Sequence, residues 1–258
     1  NQAIYADFRI ADRSGVGVSF YNDRNGNTHQ TGAKFSFAQH LILDYYTKQY
    51  LSLGISYNIN NFKIDIQNFN TTYEQPVIDP SVTDNRFNSN NNFDIGALYR
   101  KDNFYFSFNA NNILAKNIDK YFGAEPNLLL NYQIYSGLRI KGPANSRIEY
   151  EPSVYFQLFA SDGRSSTDIN IKYRKYNRYD DYFWAGISYR FLNDQVAKPL
   201  NLGPMLGFKK SNFYFGYSYQ ITLNPLISYN SGTHMVTIGL DFFAGISNCP
   251  CTQSPVHD

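Results

Sequence analysis

Gly32-Ala-Lys-Phe-Ser-Phe-Ala-Gln-His-Leu41 is the stretch whose reading decides the fold. Ala33, Phe35, Phe37, Gln39 and Leu41 alternate with Gly32, Lys34, Ser36, Ala38 and His40, so an extended chain has one largely apolar face and one small or polar face. A helix would scatter the same residues around its circumference. Upstream, Val16, Val18 and Phe20 alternate in the same way with Gly15, Gly17 and Ser19. Downstream, the pattern recurs in Phe93 to Arg100, Phe104 to Asn111, Leu130 to Ile140, Arg147 to Phe159, Thr167 to Arg174, Phe183 to Arg190, Leu202 to Lys209, Phe213 to Gln220 and His234 to Phe243. Asn, Asp, Gly, Lys and Ser bound these segments, as turns between strands require.

Composition says which solvent the apolar face meets. The chain carries 23 Tyr and 21 Phe against one Trp, yet its mean hydropathy is -0.45. A soluble core would match so many rings with aliphatic residues. A membrane barrel instead spends rings on its lipid face and interfacial girdles, and fills its lumen with polar groups. A lipocalin-like barrel or β-sandwich would solvate its polar face with more Glu and Lys than a charged fraction of 17% supplies. The longest apolar runs, such as Leu41 to Leu43, fall far short of the roughly 20 residues of a spanning helix. Most of the alternating segments reach the about 9–11 residues that a tilted spanning strand needs. The expected fold class is therefore all-β: a transmembrane antiparallel up-and-down β-barrel.

Leu51 to Ile66 tests the strand count. Leu51, Leu53, Ile55, Tyr57 and Ile59 are odd, whereas Phe62, Ile64 and Ile66 are even, so the outward face slips by one residue at Asn60-Asn61. A bulge in one long strand does this, and twelve strands between Gly15 and Phe243 is an even number, as bacterial single-chain barrels have. Connection lengths then orient the barrel. Asn22 to Gln30, Gln67 to Asn92, Asn112 to Leu129, Ala160 to Ser166, Phe191 to Asn201 and Ile221 to Thr233 follow odd strands and are mostly long, as extracellular loops are. Ile42 to Tyr50, Lys101 to Asn103, Lys141 to Ser146, Lys175 to Tyr182 and Lys210 to Asn212 are the shorter, periplasmic set, and both termini fall on that side.

No motif of bond chemistry stands out. His29, His40, His234 and His257 lie at no zinc or triad spacing, and no Gly-x-Ser-x-Gly, His-Glu-x-x-His or phosphate loop occurs. The expectation is no enzyme, no catalytic residue, no cofactor and no metal. Cys249 and Cys251 form a Cys-Pro-Cys tail with too few further ligands nearby for a metal site. Asp79, Asp84, Asn85, Asn88, Asn90 and Asn91 offer oxygen atoms in one long loop, but match no ordered calcium loop. That loop reads better as a docking surface. Arg147, Glu149 and Glu151 point inward on one strand and Asp168, Lys172 and Arg174 on the next, which favours an internal ion-pair lattice over the single-sign ring of a selective channel. By alternation His40 also faces the lumen. A net charge of +2 with scattered Lys and Arg implies no nucleic-acid partner.

Successive blocks along the chain also resemble one family. They are Gly15-Val-Gly-Val-Ser-Phe-Tyr-Asn-Asp, Gln30-Thr-Gly, Tyr50-Leu-Ser-Leu-Gly-Ile-Ser-Tyr with Phe62-Lys-Ile-Asp-Ile, and Asn92-Phe-Asp-Ile-Gly-Ala. Phe104-Tyr-Phe-Ser-Phe with Asn112-Ile-Leu, Trp184-Ala-Gly-Ile-Ser-Tyr-Arg, Phe215-Gly-Tyr-Ser-Tyr and Tyr229-Asn-Ser-Gly-Thr-His follow. In order and spacing they resemble the PorP/SprF family of outer-membrane proteins of the type IX secretion and gliding-motility machinery. Asn1-Gln-Ala-Ile-Tyr-Ala-Asp resembles the family's start, but Phe8 to Ser14 is too short for the hairpin that follows it there. The expected organisation is a single domain over residues 1–258: an N-terminal periplasmic segment over 1–14, barrel strands over 15–243 and a tail over 244–258. Twelve strands are visible, and a first hairpin beyond the given sequence would make fourteen. The resemblance implies a Gram-negative outer membrane with its lipid and lipopolysaccharide. It also implies a role in supporting secretion, or in holding a partner cell-surface protein such as a gliding adhesin by its C-terminal domain, together with other secretion components. A passive porin or small-solute transporter is the alternative.

Overall fold

A computed structural model gives the structure, which describes residues 1–26, 28–64, 86–114, 129–143, 146–179, 181–228 and 232–242. It is an antiparallel sheet of fourteen strands, with no α-helix among the described residues. The strands are β1 (Gln2–Ala11), β2 (Ser14–Asn25), β3 (Thr28–Asp44), β4 (Gln49–Ile64), β5 (Arg86–Lys101), β6 (Phe104–Asn111) and β7 (Asn131–Leu138). They continue as β8 (Ile140–Lys141), β9 (Ile148–Phe159), β10 (Ser165–Tyr176), β11 (Tyr182–Leu192), β12 (Lys198–Lys210), β13 (Phe213–Thr222) and β14 (Gly232–Leu240). Each pairs with the next along the chain, except that β7 neighbours β9 and the two-residue β8 pairs with β9 alone. This is the up-and-down order of a β-barrel.

All twelve segments expected from alternation are strands, and β4 runs unbroken through Asn60 and Asn61 to Ile64. The count of fourteen is reached by a different route from an added hairpin. Gln2–Ala11, read as a periplasmic segment, is the strand β1, pairing with β2 from Gln2↔Asn22 to Ala11↔Ser14. The Leu130 to Ile140 segment divides at Arg139, whose amide donates to the Asn103 carbonyl at 3.0 Å instead of continuing β7. The expected loop Asn22 to Gln30 is also shorter than read. β2 runs to Asn25 and β3 starts at Thr28, with Gly26 taking the left-handed φ of 57° that the tight turn needs. Residues 65–85 separate β4 from β5, and residues 112–130 separate β6 from β7.

The described residues fall into two compact units, one of Asn1–Leu41, Ser52–Ala97 and Asn109–Asn131, the other of Ile42–Leu51, Leu98–Phe108 and Tyr132–Asp258. In the first, Ile4↔Phe20, Ala6↔Val18 and Phe8↔Val16 continue as Val16↔Phe37 and Val18↔Phe35, so one face of β1 to β3 is apolar. In the second, Pro152↔Ile171↔Ile187 and Val154↔Ile169↔Tyr189 build the same kind of face across β9 to β11.

Burial is inverted relative to a water-soluble fold. Phe8 is 59% exposed, Ile171 50% and Ile238 64%, whereas Asn92, Glu149, Glu151, Asp94 and Asp168 are buried. In water each exposed apolar Å² would forgo about 25 cal/mol, and so large an apolar surface would drive aggregation. Against hydrocarbon the same face costs nothing, and polar groups must turn away from it.

The short connections are bonded to one another. Asn177 Oδ1 accepts the amides of Tyr179 (2.7 Å) and Asp181 (3.0 Å), an Asx-type turn. Asp181 Oδ1 then accepts the Ser211 amide of the next hairpin at 2.7 Å. The Tyr176 amide reaches the Arg147 carbonyl, and the Asp241 amide reaches the Asn212 carbonyl. The Ser211 bond, then that of the Asn177 amide, holds the Asp181 carboxyl below the usual aspartate range. A depressed carboxylate contributes stability that is fully present above its unfolded pKa and lost as pH falls through its folded one. Asp181→Asn is therefore expected to flatten the loss of stability below about pH 4, read as the pH dependence of unfolding in detergent. An unchanged profile would count against this role.

Candidate functional site: a charged lattice on the polar face

Antiparallel register on β9 and β10 sets Glu149 directly opposite Arg174 and Glu151 opposite Lys172. Arg174 Nη1 pairs with Glu149 Oε1 and lies 2.6 Å from Glu151 Oε2. Both carboxylates and the guanidinium are buried, so the pairing offsets a large desolvation cost. Tyr105 Oη on β6 donates to Glu151 Oε1 at 2.8 Å, and the Tyr135 hydroxyl of β7 stands 3.1 Å from it and 3.2 Å from Ser153 Oγ. Further along the same strands Asp168 is held in a fork by Arg190, Nε to Oδ1 and Nη2 to Oδ2, each at 2.6 Å. The two residues are direct partners across β10 and β11.

The expected lattice is present in part: Glu149 and Glu151 pair with Arg174, whereas Asp168 pairs with Arg190 of β11 and Lys172 rests over Trp184. Arg147 does not belong to it: with φ of 50° at the turn before β9, it is exposed and donates Nη1 to the Asn177 carbonyl at 2.8 Å. Left-handed backbone re-aims a side chain that parity alone would point inward. Tyr105 and Arg190 are members that alternation could have found, because they share parity with the polar residues of β6 and β11; Arg139, which stands between β7 and β8, pairs with Glu151 as well.

Trp184 supplies the floor beside the lattice. Lys172 Nζ sits 4.9 Å from the indole centroid, a cation–π contact, and Tyr214 stacks on its other side at 6.3 Å. The direct partner of Trp184 on β12 is Gly207, where an added Cβ would come within 2.3 Å of the Phe215 carbonyl oxygen and 2.6 Å of Trp184 Nε1. Asp7 covers Gly17 in the same way across β1 and β2. Gly207→Leu is expected to push the indole off the wall and cost about 1–3 kcal/mol, read as a shift in Trp184 emission and a lower unfolding midpoint. Identical emission in the variant would sink this account of the glycine.

The first unit has its own polar ties. Lys34 Nζ pairs with Asp94 Oδ2 at 2.7 Å, and Asp94 Oδ1 accepts the Asn112 amide at 2.9 Å. Asn92 is fully buried, its Oδ1 accepting the Leu114 amide at 2.9 Å and its Nδ2 reaching the Leu114 carbonyl at 3.2 Å. These two residues of β5 clamp the chain where it leaves β6. The sequence reading had placed Asn90, Asn91 and Asn92 in a loop, yet all three belong to β5. Asp79, Asp84 and Asn85 lie outside the described residues, as do Cys249, Cys251 and His257.

His40 is on β3 with Nδ1 2.6 Å from Ser52 Oγ. His234 is exposed, stacked 4.5 Å from Tyr219 and bonded to the Tyr217 hydroxyl at 2.8 Å. His29 Nε2 lies 2.5 Å from Asn22 Oδ1. The three rings thus sit on separate partners.

No curated protein matches the chain. A family profile described as "Type IX secretion system membrane protein PorP/SprF" does match it, over residues 1–240. That span takes in every strand from β1 to β14, and an all-β antiparallel sheet with one apolar face fits an outer-membrane protein of this kind. The chain therefore belongs to the PorP/SprF family of type IX secretion system membrane proteins.

Proposed function

We propose that this protein is a non-enzymatic outer-membrane barrel that supports secretion by the type IX system, anchors a secreted cell-surface protein through that protein's C-terminal domain, or both. The observation that carries the reading is the family match over residues 1–240. The engaged state of the polar face supports it: its buried carboxylates are bonded to arginines and a tyrosine rather than poised beside a nucleophile. Recognition falls to the loops and the rim, because long connections on a rigid scaffold are where binding residues concentrate. In this reading the ends of β2, β4 and β6 face the outside, and the bonded short turns and the end of β14 face the periplasm. Gln2, which is paired with Asn22, lies at the outer end, so the expectation that both termini are periplasmic does not hold for the start of the chain.

Two experiments test it. Deleting the gene should lower the amount of proteins carrying a type IX signal at the cell surface, and pull-down from solubilised outer membranes should recover a secreted protein or a secretion component. Normal surface levels of every such protein would remove the secretion role. The polar inner face also favours a second reading, a diffusion pore. Large, steady currents from the purified protein in a planar bilayer would make conduction the main role.

A further inference from the structure

The apolar face of the second unit carries charge at one end only. Register sets Ile148, Lys175, Phe183, Phe208, Phe215 and Ile238 in one row across β9 to β14. Lys210, opposite Phe213, takes the next position on that face toward the short turns. Among the described residues these two lysines are the only Lys, Arg, Asp or Glu on the apolar face of β9 to β14. Lys210 is the last residue of β12 and Lys175 the last but one of β10, so both stand at the short-turn end. At the other end the same face finishes in Leu158, Phe191 and Ile221. Past the bulge at Leu200, register carries Lys198 to the polar side, opposite Leu192.

Both lysines are exposed, and no carboxylate lies within ion-pair distance of either among the described residues. Asp181, the acid that feels Lys210, is itself held by the Ser211 amide and the Asn177 side chain. Aromatic rings collect at the same level. Phe208 lies 6.0 Å from Phe213 and 5.7 Å from Phe215, Tyr150 and Tyr173 meet at 5.6 Å one row further from the turns, and Tyr179 in the turn after β10 is 86% exposed. Rings at the boundary between hydrocarbon and water form the girdle of a membrane barrel. A lysine there lays its methylenes along the apolar surface and carries its ammonium out to the headgroups. Two cations with no acid beside them on that face call for anionic headgroups rather than neutral ones.

We propose that the short-turn end of this face binds the phosphate of anionic phospholipids, of the phosphatidylglycerol class, through Lys175 and Lys210. The lipid belongs to the leaflet at the short-turn end, the periplasmic one in the orientation given above. The inference rests on the reading of the apolar face as lipid-facing and is independent of the secretion role.

The full chain in detergent micelles is supplied with equal amounts of phosphatidylglycerol and phosphatidylcholine of the same acyl chains, and the bound lipids are counted by native mass spectrometry. Phosphatidylglycerol is expected to be retained about fivefold or more over phosphatidylcholine. The double variant K175Q/K210Q should bring the ratio close to unity, each single variant part of the way, and K175R/K210R should keep the preference. K198Q, the same change of charge at the opposite end of β12, should leave it unchanged. Equal retention of the two lipids by the parent, or an undiminished preference in K175Q/K210Q, overturns the proposal. So does loss of the bound lipid to inorganic phosphate added at the lipid's own concentration, because the site would then take a soluble anion. Where the double glutamine variant fails to fold, the single variants decide, and an undiminished preference in both overturns the proposal. The Ile171→Arg test described below separates the two readings: if it shows hydrocarbon on this face while the lipid preference is absent, only the present inference falls.

Discussion

Arg174→Leu is expected to be among the most damaging single changes in the barrel wall, lowering stability by about 3–5 kcal/mol. Arg174 answers both Glu149 and Glu151, and neither acid can reach water to compensate, their side chains being 4% and 7% exposed. Removing the cation leaves two buried like charges facing each other from one strand. The loss should be read as a lower guanidinium midpoint of the folded form in detergent or vesicles. Restoring neutrality in the triple variant Arg174→Leu, Glu149→Gln, Glu151→Gln should recover much of it, because a neutral polar cluster has no unpaired charge to bury. If the single variant unfolds at the parent's midpoint, the lattice is decorative and its energetic role is refuted.

Ile171→Arg should cost nearly as much for the opposite reason. Ile171 sits near the middle of β10, between Pro152 and Ile187 on the apolar face, half exposed to what surrounds the protein. If hydrocarbon is there, a guanidinium at mid-depth costs about 2–4 kcal/mol, falling to about 0–1 near either interface. Leu158→Arg, close to the end of β9, supplies the shallow comparison. Equal and negligible effects at both positions would mean that water covers this face. The two expected results invert the usual rule: the exposed isoleucine would tolerate a charge nearly as poorly as Arg174 would tolerate its loss.

Much of this was legible in residue order, because a strand's period of two is written directly in alternation. Glu149 and Glu151 against Lys172 and Arg174 is a pattern of parity, and register converted it into contact. β1 was equally written: Ile4, Ala6, Phe8 and Ile10 alternate with Tyr5, Asp7 and Arg9. Three alanines and two charges dilute that pattern between Gln2 and Ala11, and the longer start of the family masks it. Arg147 failed for a different reason. Parity holds only while the backbone stays extended, and a left-handed residue at a turn resets the direction of its side chain. Arg139 lies at the division of β7 from β8, where its amide bonds the Asn103 carbonyl in the turn between β5 and β6, a contact that no local pattern announces. The choice of Arg190 as the partner of Asp168 likewise needed the pairing of β10 with β11, since several cations of the right parity were available.

The inverted burial has a consequence before folding begins. Each strand dilutes its outward Phe, Ile and Leu with an equal number of inward polar residues, so the unfolded chain never presents a continuous apolar window. Translocation machinery retains segments that partition into lipid as helices, for which the cost of each polar residue is summed over about 20 positions. This chain fails that sum everywhere in its alternating segments, although the finished sheet is apolar on one whole side. The hydrophobic belt therefore exists only once neighbouring strands are in register, and a polypeptide built this way can be passed through one membrane in order to settle in another.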